Sequence, residues 1–396
     1  MSAAHPKTKT ETKPDEEGAW LILSPPPPKG AECPVDTLCM VAGVHTHRAA
    51  VLKNEHMPLE LLSRVIRPMT DGIGDECKAG PDTFTIKQYN VLAEGLSSGP
   101  NQPKKHMGDP KSVSTYGGFD SVLLPGVVFN FAERKWLLIE EMLVGRPDIL
   151  TLQEVDQYHG FFLPELNRLG YDGVFQPKFM SPCLQYGYYS DGCAIFWKRT
   201  KFKAMQQQRS GRFYDHKKAE PGKQVYLIQA LENVVTGRSL VVATAHLKSK
   251  RCEANETIRA EQIDELLNEI NRERIALGNC PIVIGADLNA DAFAIGGVEP
   301  KCINKLVEFG YKSAYPLLAG PASGKYTTWK KRGTDEVQHV IDYIWYGPDQ
   351  VMCLATQAGV PIDQMRPERM PSLQHPSDHL AIMARLALVP PPSKSA

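Results

Sequence analysis

Apolar strands that run straight into a carboxylate, a carboxamide or an imidazole constrain this chain more than any other feature. Runs rich in β-branched and aromatic residues read as strands at TFTIKQYN (83–90), DILTLQE (148–154), GCAIFW (192–197), QVYLIQALE (224–232), SLVVATAH (239–246), PIVIGADLN (281–289) and VIDYIWY (340–346). The first ends on Asn90 and the second on Gln153-Glu154. Later runs end on His246 and on Asp287 and Asn289, and Asp342 interrupts the last of them. Asp378 and His379 then open a further apolar stretch, Leu380 to Ala384. Between the strands lie helical patterns. One covers 132–146, with apolar residues at 137, 138, 142 and 143 and Gly145 as its stop; another covers 255–274, with 258, 263, 266, 267 and 270 on one face. Strands with both helical and hairpin-like neighbours predict an α/β fold of two sheets packed together and covered by helices.

The pattern is confined to 81–389, which reads as one catalytic domain. Residues 1–80 read as a poorly ordered extension containing Pro25-Pro26-Pro27-Pro28, a linker or a ligand for a proline-binding domain. One short helix is expected there, at Pro58 to Ile66, and 390–396 reads as a tail. Two halves, 83–232 and 239–388, read as a loose duplication. Lysine plus arginine number 45 and so do aspartate plus glutamate, so no global field holds a long polyanion and any such binding must come from a local cluster. The nine cysteines include no C-x-x-C pair, which argues against a disulfide framework or a zinc ribbon. The opening residues lack the apolar core of a secretory signal and no run is long enough to span a membrane, so cytoplasm is the expected location.

Strand ends are where a rigid scaffold can project side chains into one crevice. Taken singly, Asn90 and Glu154 read equally as turn residues, and His246 as a satisfied core histidine. Asp287 and Asn289 are harder to dismiss: two apart, they face one side of an extended segment that follows Pro281-Ile282-Val283-Ile284-Gly285, where an unpaired carboxylate is expensive. Taken together, the residue types suit phosphoester hydrolysis. Glu154 and Asn90 offer hard oxygen ligands for Mg2+, Asp287 can align or deprotonate a water, and Asn289 and His246 can donate to developing negative charge. Asp342 is a reasonable partner for His379, favouring its imidazolium.

The boxes QYN, LTLQEVD, DGCAIFW, TAHLKSK, IGADLNA, IDYIWY and PSDHL, in this order over roughly 84–388, resemble the endonuclease/exonuclease/phosphatase superfamily, in the branch that holds poly(A) deadenylases. The resemblance implies a four-layered α/β sandwich, two packed mixed β-sheets flanked by helices, with one magnesium site. It implies Glu154 as principal metal ligand beside Asn90, and His246, Asp287, Asn289, Asp342, Asp378 and His379 as the catalytic set, with Asp342 and His379 paired. Within the branch, RLGYDGVFQPK, SPCLQYGYYSDGCAIFW, AHLKSK, YTTWKKR and HVIDYIWY are similar to enzymes that remove the 2′-phosphate of NADP and NADPH. That likeness implies Lys178, Lys248, Lys250 and Arg332 as substrate-binding residues. The family's HLKAR is HLKSK here, so Lys250 offers a point charge where a guanidinium fork is expected, and PKFMSPC lacks an expected tryptophan. The expected activity is a magnesium-dependent NADP(H) 2′-phosphatase. The alternatives are a poly(A)-specific 3′-exoribonuclease, with RNA or mRNA-decay proteins as partners, and a non-catalytic scaffold.

Overall fold

The computed structural model describes residues 37–62, 69–71, 80–97, 104–105, 113–114, 116–119, 121–317, 325–365 and 369–389. The proline run at 25–28 and the tail at 390–396 lie outside them. The chain begins in one sheet, crosses to a second and returns. The first sheet takes β1 (Met69–Asp71), β2 (Thr83–Asn90), β3 (Ile149–Val155), β4 (Tyr171–Pro177) and β5 (Gly192–Lys198). The second takes β6 (Phe202–Ala204), β7 (Arg209–Asp215), β8 (Glu220–Asn233), β9 (Ser239–Ala245), β10 (Ile282–Asp287) and β11 (Lys312–Ser313). A separate hairpin follows, β12 (Thr328–Arg332) with β13 (Asp335–His339). Then β14 (Asp342–Tyr346) closes the second sheet, and β15 (Val351–Gln357) and β16 (Ile382–Leu388) return to the first. The orders are β1-β15-β16-β2-β3-β5-β4 and β11-β14-β10-β9-β8-β6, with β7 also paired to β8.

Each sheet is mixed. β2 and β3 are parallel, as are β9 and β10; the other pairings are antiparallel. A parallel pair needs a crossover, and helices supply both: α2 (Phe131–Leu143) between β2 and β3, α3 (Glu253–Ala276) between β9 and β10. Asn130 caps α2, its side chain accepting from the Ala132 amide at 3.2 Å, and Gly145 beyond its end takes φ 77°. The buried Lys87 under α2 donates to the carbonyls of Glu141 at 2.6 Å and Val144 at 2.7 Å, so a strand lysine completes the helix end.

Period-two alternation separates the layers. On β9, Leu240 and Val242 face the other sheet, where Phe84, Ile86, Ile149 and Ile195 meet them. Val241, Ala243 and Ala245 face Ile263, Leu266 and Ile270 of α3. On β3, Leu150 and Leu152 meet Leu138 and Met142 of α2. The result is the expected four-layered α/β sandwich.

Within the stretch 1–80, expected to be poorly ordered, residues 1–36 lie outside the described ones, and 37–54 departs from that reading. Thr37–Asn54 forms an eighteen-residue helix, α1. Its buried residues Val41, Val44, Arg48 and Leu52 recur at helical spacing, a periodicity hidden by the polar and proline-rich sequence around it. The fully buried Arg48 donates to the carbonyls of Leu373 at 2.9 Å and Val127 at 3.1 Å and approaches Glu133, tying α1 to α2 and to the loop before Asp378. The expected helix at 58–66 is described only as a short turn, Leu59–Leu62. The sheets also do not divide along the halves 83–232 and 239–388, because β15 and β16 from the second half complete the first sheet.

Candidate active site

One end of the sandwich collects the polar strand ends. β2 and β3 end there, as do β9 and β10; the antiparallel β14 and β16 begin there. Chain direction therefore explains why Asn90, Glu154, His246, Asp287 and Asn289 follow apolar runs while Asp342, Asp378 and His379 precede them. His246 and Asp287 form an isolated parallel bridge beyond the last pairs of β9 and β10, and Thr328 of the hairpin bridges to His379.

Two of these positions hold strained backbone. Glu154 sits at φ 57° where the β3–β5 register slips between Leu152 and Val155, and Asn289 sits at φ 50°. A left-handed conformation inside a strand bulge costs of order 1–3 kcal/mol for a residue other than glycine, and re-aims the side chain. Here it turns Glu154 towards Asn90.

Asp287 is the hub. It is buried, and its Oδ2 accepts from Asn90 Nδ2 at 2.9 Å while its Oδ1 accepts from the Asn289 amide at 3.0 Å. His246 Nε2 stands 3.6 Å from Oδ2 and His379 Nε2 stands 3.9 Å away. Burial, reinforced by Asp342, pushes the Asp287 carboxyl up to about 6. His379 Nδ1 bonds Asp342 Oδ2 at 2.8 Å, and Gln88 Nε2 donates to Asp342 Oδ1 at 3.0 Å, so both oxygens of that buried carboxylate are engaged. Burial works against the charge of His379, but Asp342 and then Asp378 outweigh it and raise the ring to about 9. The other imidazole is the opposite case: burial first, then Lys178 and His379, drive His246 well below its ordinary value. Lys178 Nζ lies 3.2 Å from His246 Nδ1. An ammonium can only donate, so Nδ1 accepts and the neutral ring carries its proton on Nε2, the nitrogen nearest Asp287.

Four segments buttress the cluster. Lys178 is anchored to Asp191 at 2.6 Å. Asp378 receives Lys330 at 2.6 Å and Arg332 at 3.4 Å on Oδ2; burial opposes its charge, but Lys330, His379 and Arg332 hold it well below the carboxylate range. Arg332 also stacks over Phe119, 4.3 Å from the ring centroid. Gln88, Gln153 and Thr244 form a buried chain between the sheets just beneath Asp342.

The donor set fits a hard divalent cation. Glu154 is the half-exposed carboxylate; among the described residues its oxygens accept from neutral N–H groups, Asn90 Nδ2 at 3.3 Å and the Ala93 amide at 3.2 Å. Asp378 Oδ1 is buried with no hydrogen-bond partner among the described residues. Oxygen-rich donors without a thiolate suit magnesium better than zinc. Asp287, Asp342 and His379 bring ligand atoms within 4.8 Å of one another, but Asp342 and His379 already bond each other, so that trio is better read as a charge pair facing an acceptor.

Of the residues singled out in the sequence, Asn90, Glu154, His246, Asp287, Asn289, Asp342, Asp378, His379, Lys178 and Arg332 meet in this one cluster. Lys248, half-buried, and Lys250, exposed, stay on its rim, in the loop leaving His246, where Arg259 holds both their carbonyls. Lys330 and Asp191 were missed. Lys330 was legible: two residues before Arg332 in an extended segment, it shares that residue's face.

Comparison with known proteins agrees with this geometry. The Endonuclease/Exonuclease/phosphatase family profile matches residues 128–379. Nocturnin of Xenopus laevis is 34% identical over 320 residues, covering 79% of this chain and 75% of that protein. The solved catalytic domain of human Nocturnin with a bound sulfate anion superimposes with a TM-score of 0.60 at 28% identity, covering 82% of this chain and 98% of that one. The CCR4-Not complex 3′-5′-exoribonuclease subunit Ccr4 of Yarrowia lipolytica is 25% identical over 366 residues, 77% of this chain and 48% of its own length.

Proposed function

This chain belongs to the endonuclease/exonuclease/phosphatase family, a phosphoesterase of nocturnin-like sequence, and from that premise we propose that it removes the 2′-phosphate of NADP and NADPH, giving NAD and NADH, with Mg2+ as its cofactor. The observation that carries the reading is the convergence on Asp287 of Asn90 at 2.9 Å, His246 at 3.6 Å and His379 at 3.9 Å.

Mg2+ would be held by Glu154, and by the Asn90 oxygen once that carboxamide turns from its present pose, in which Oδ1 accepts from the Leu92 amide at 3.0 Å and Nδ2 faces Glu154 and Asp287. When bound it would supply charge neutralisation on the phosphoryl oxygens. The chain's own groups do the rest. Asp287, with a carboxyl near 6, is mostly ionised at neutral pH yet basic enough to accept a proton from an attacking water. His379 carries a fixed positive charge there, and its Nε2–H has room for a phosphoryl oxygen because Asp287 and Asp378 both stand 3.9 Å away. The neutral His246, its Nε2–H set by Lys178, donates to the same developing charge. Asn289 holds one oxygen of Asp287 through its amide and steadies its own side chain on the Leu247 carbonyl at 3.2 Å.

Lys178 and Arg332 favour a compact ligand bearing several phosphates. So does the balance of 45 basic against 45 acidic residues, which supplies no field for long RNA. The likeness to Ccr4 keeps 3′-exonucleolytic shortening of poly(A) as the second reading. Purified protein incubated with Mg2+ and either NADPH or 5′-labelled oligo(A) separates the two. Phosphate release from NADPH with intact oligo(A) is expected; shortened oligo(A) with intact NADPH removes the first reading.

A further inference from the structure

The loop joining β4 to β5 exposes more large apolar surface than its neighbours. Phe179 is 53% exposed, Met180 59%, Leu184 50% and Tyr189 69%. Single exposed apolar residues are ordinary, but a cluster beside a site marks a contact surface. This cluster is rigidly built. At its base, Asp191 accepts from Lys178 Nζ and from Ser181 Oγ at 2.5 Å, and its carbonyl accepts from the Lys178 amide at 2.8 Å. Lys178 turns inward to His246, and Phe179, the next residue, turns outward.

Phe179 has a fixed backing. The Arg212 guanidinium lies 4.2 Å from its ring centroid. That guanidinium is itself clamped, donating to the carbonyls of Gly222 at 2.8 Å and Pro221 at 2.5 Å. One face of the ring is therefore covered by a cation that cannot swing away, and the other is open. The register gives its position. Arg212 pairs with Val225, and Tyr226, the next residue, pairs with Ala245, so Arg212, Val225 and His246 form one row across three strands. Residues opposite one another share a face, and two strand spacings amount to roughly 10 Å. Ser210 Oγ donates to Gln176 Oε1 at 2.6 Å, joining β7 to β4 at this edge.

We propose that Phe179, backed by Arg212 and flanked by Met180, is a stacking platform for the heteroaromatic base of the nucleotide whose phosphate lies at His246. This rests on the function proposed above and extends it: the enzyme grips a base as well as a phosphate. An aromatic face held flat by a guanidinium recognises any nucleobase without selecting among them, and a lost stack weakens binding about tenfold.

The test uses full-length protein with Mg2+ and the variants F179L, which keeps apolar bulk without a ring, and F179W, which restores one. The ratio of kcat/KM for NADPH to that for ribose 2-phosphate should fall about tenfold in F179L through KM, and recover in F179W. Equal losses on both esters, or no change on either, overturn the platform. If the wild-type protein leaves NADPH intact, the 2′-phosphatase reading fails, and binding still decides the platform. Without metal, F179L must then weaken adenosine 2′-monophosphate about tenfold and leave inorganic phosphate unaltered; equal affinities for the monophosphate in F179L and wild type overturn it.

Discussion

Asp342→Asn separates charge from geometry at the centre of the site. The substitution keeps shape, and a carboxamide oxygen can still accept from His379 Nδ1 across the present 2.8 Å, while the amides of Gln88 and Gln153, which bond each other through both atoms, must turn together to serve the other side. What disappears is the largest of the influences that raise His379. In the wild-type protein the ring stands at about 9 against an ordinary value of 6.5, with burial already working against the charge. That difference is on the order of 3 kcal/mol in favour of the imidazolium. Without Asp342 the ring should fall back towards its ordinary range, because burial and Lys330 still oppose its charge. At pH 8 the charged fraction then drops from about nine-tenths to a minority, with a loss in kcat/KM of order tenfold, while at pH 6 the two proteins differ far less. Stability follows the same charge. Because the folded value exceeds the unfolded one, the stabilisation is complete below pH 6.5 and is lost as pH rises through about 9. In the variant that decline moves to lower pH. Phosphate release from NADPH between pH 6 and 10, with thermal midpoints over the same range, measures both. An alkaline limb that stays near 9 in the variant refutes the assignment of His379 as a charge held by Asp342.

Glu154→Ala should lower turnover by about 100-fold or more and abolish the rise in thermal midpoint on adding Mg2+; magnesium-dependent turnover at wild-type level would remove Glu154 as a ligand. Chelation should silence the wild-type enzyme, and Mg2+ should restore it. Lys330→Met leaves the buried Asp378 with Arg332 at 3.4 Å and His379 at 3.9 Å as basic neighbours and should cost about 2 kcal/mol in urea unfolding, with weakened substrate binding. An unchanged midpoint would mean that the 2.6 Å pair contributes nothing net. Arg48→Ala strands the carbonyls of Leu373 and Val127 and should cost about 3 kcal/mol in one cooperative transition; a transition that does not move would show that α1 is not part of the folded unit.

No helix among the described residues is long and apolar enough to cross a membrane. The strands at 83–90, 239–246 and 281–289 were legible because apolar alternation and β-branching are local properties. So were the chemical types at their ends, since a carboxylate at the close of an apolar run needs a partner wherever it is buried. Less legible were β4 and β7, partly exposed edge-region strands whose apolar signal is dilute, and α1, whose buried face includes an arginine that reads as surface.

The sequence by itself determined the strand-rich α/β class and the residue types, mostly oxygen donors and imidazoles, that gather at one end of the sandwich. Tertiary structure decided which of those residues share a charge state. His246 and His379 are both histidines at strand ends, yet one is neutral and the other cationic. The difference lies in which chains face them across space: Lys178 against one, Asp342 and Asp378 against the other. Electrostatic energy depends on distance through the folded body, and no local pattern along the chain contains that distance.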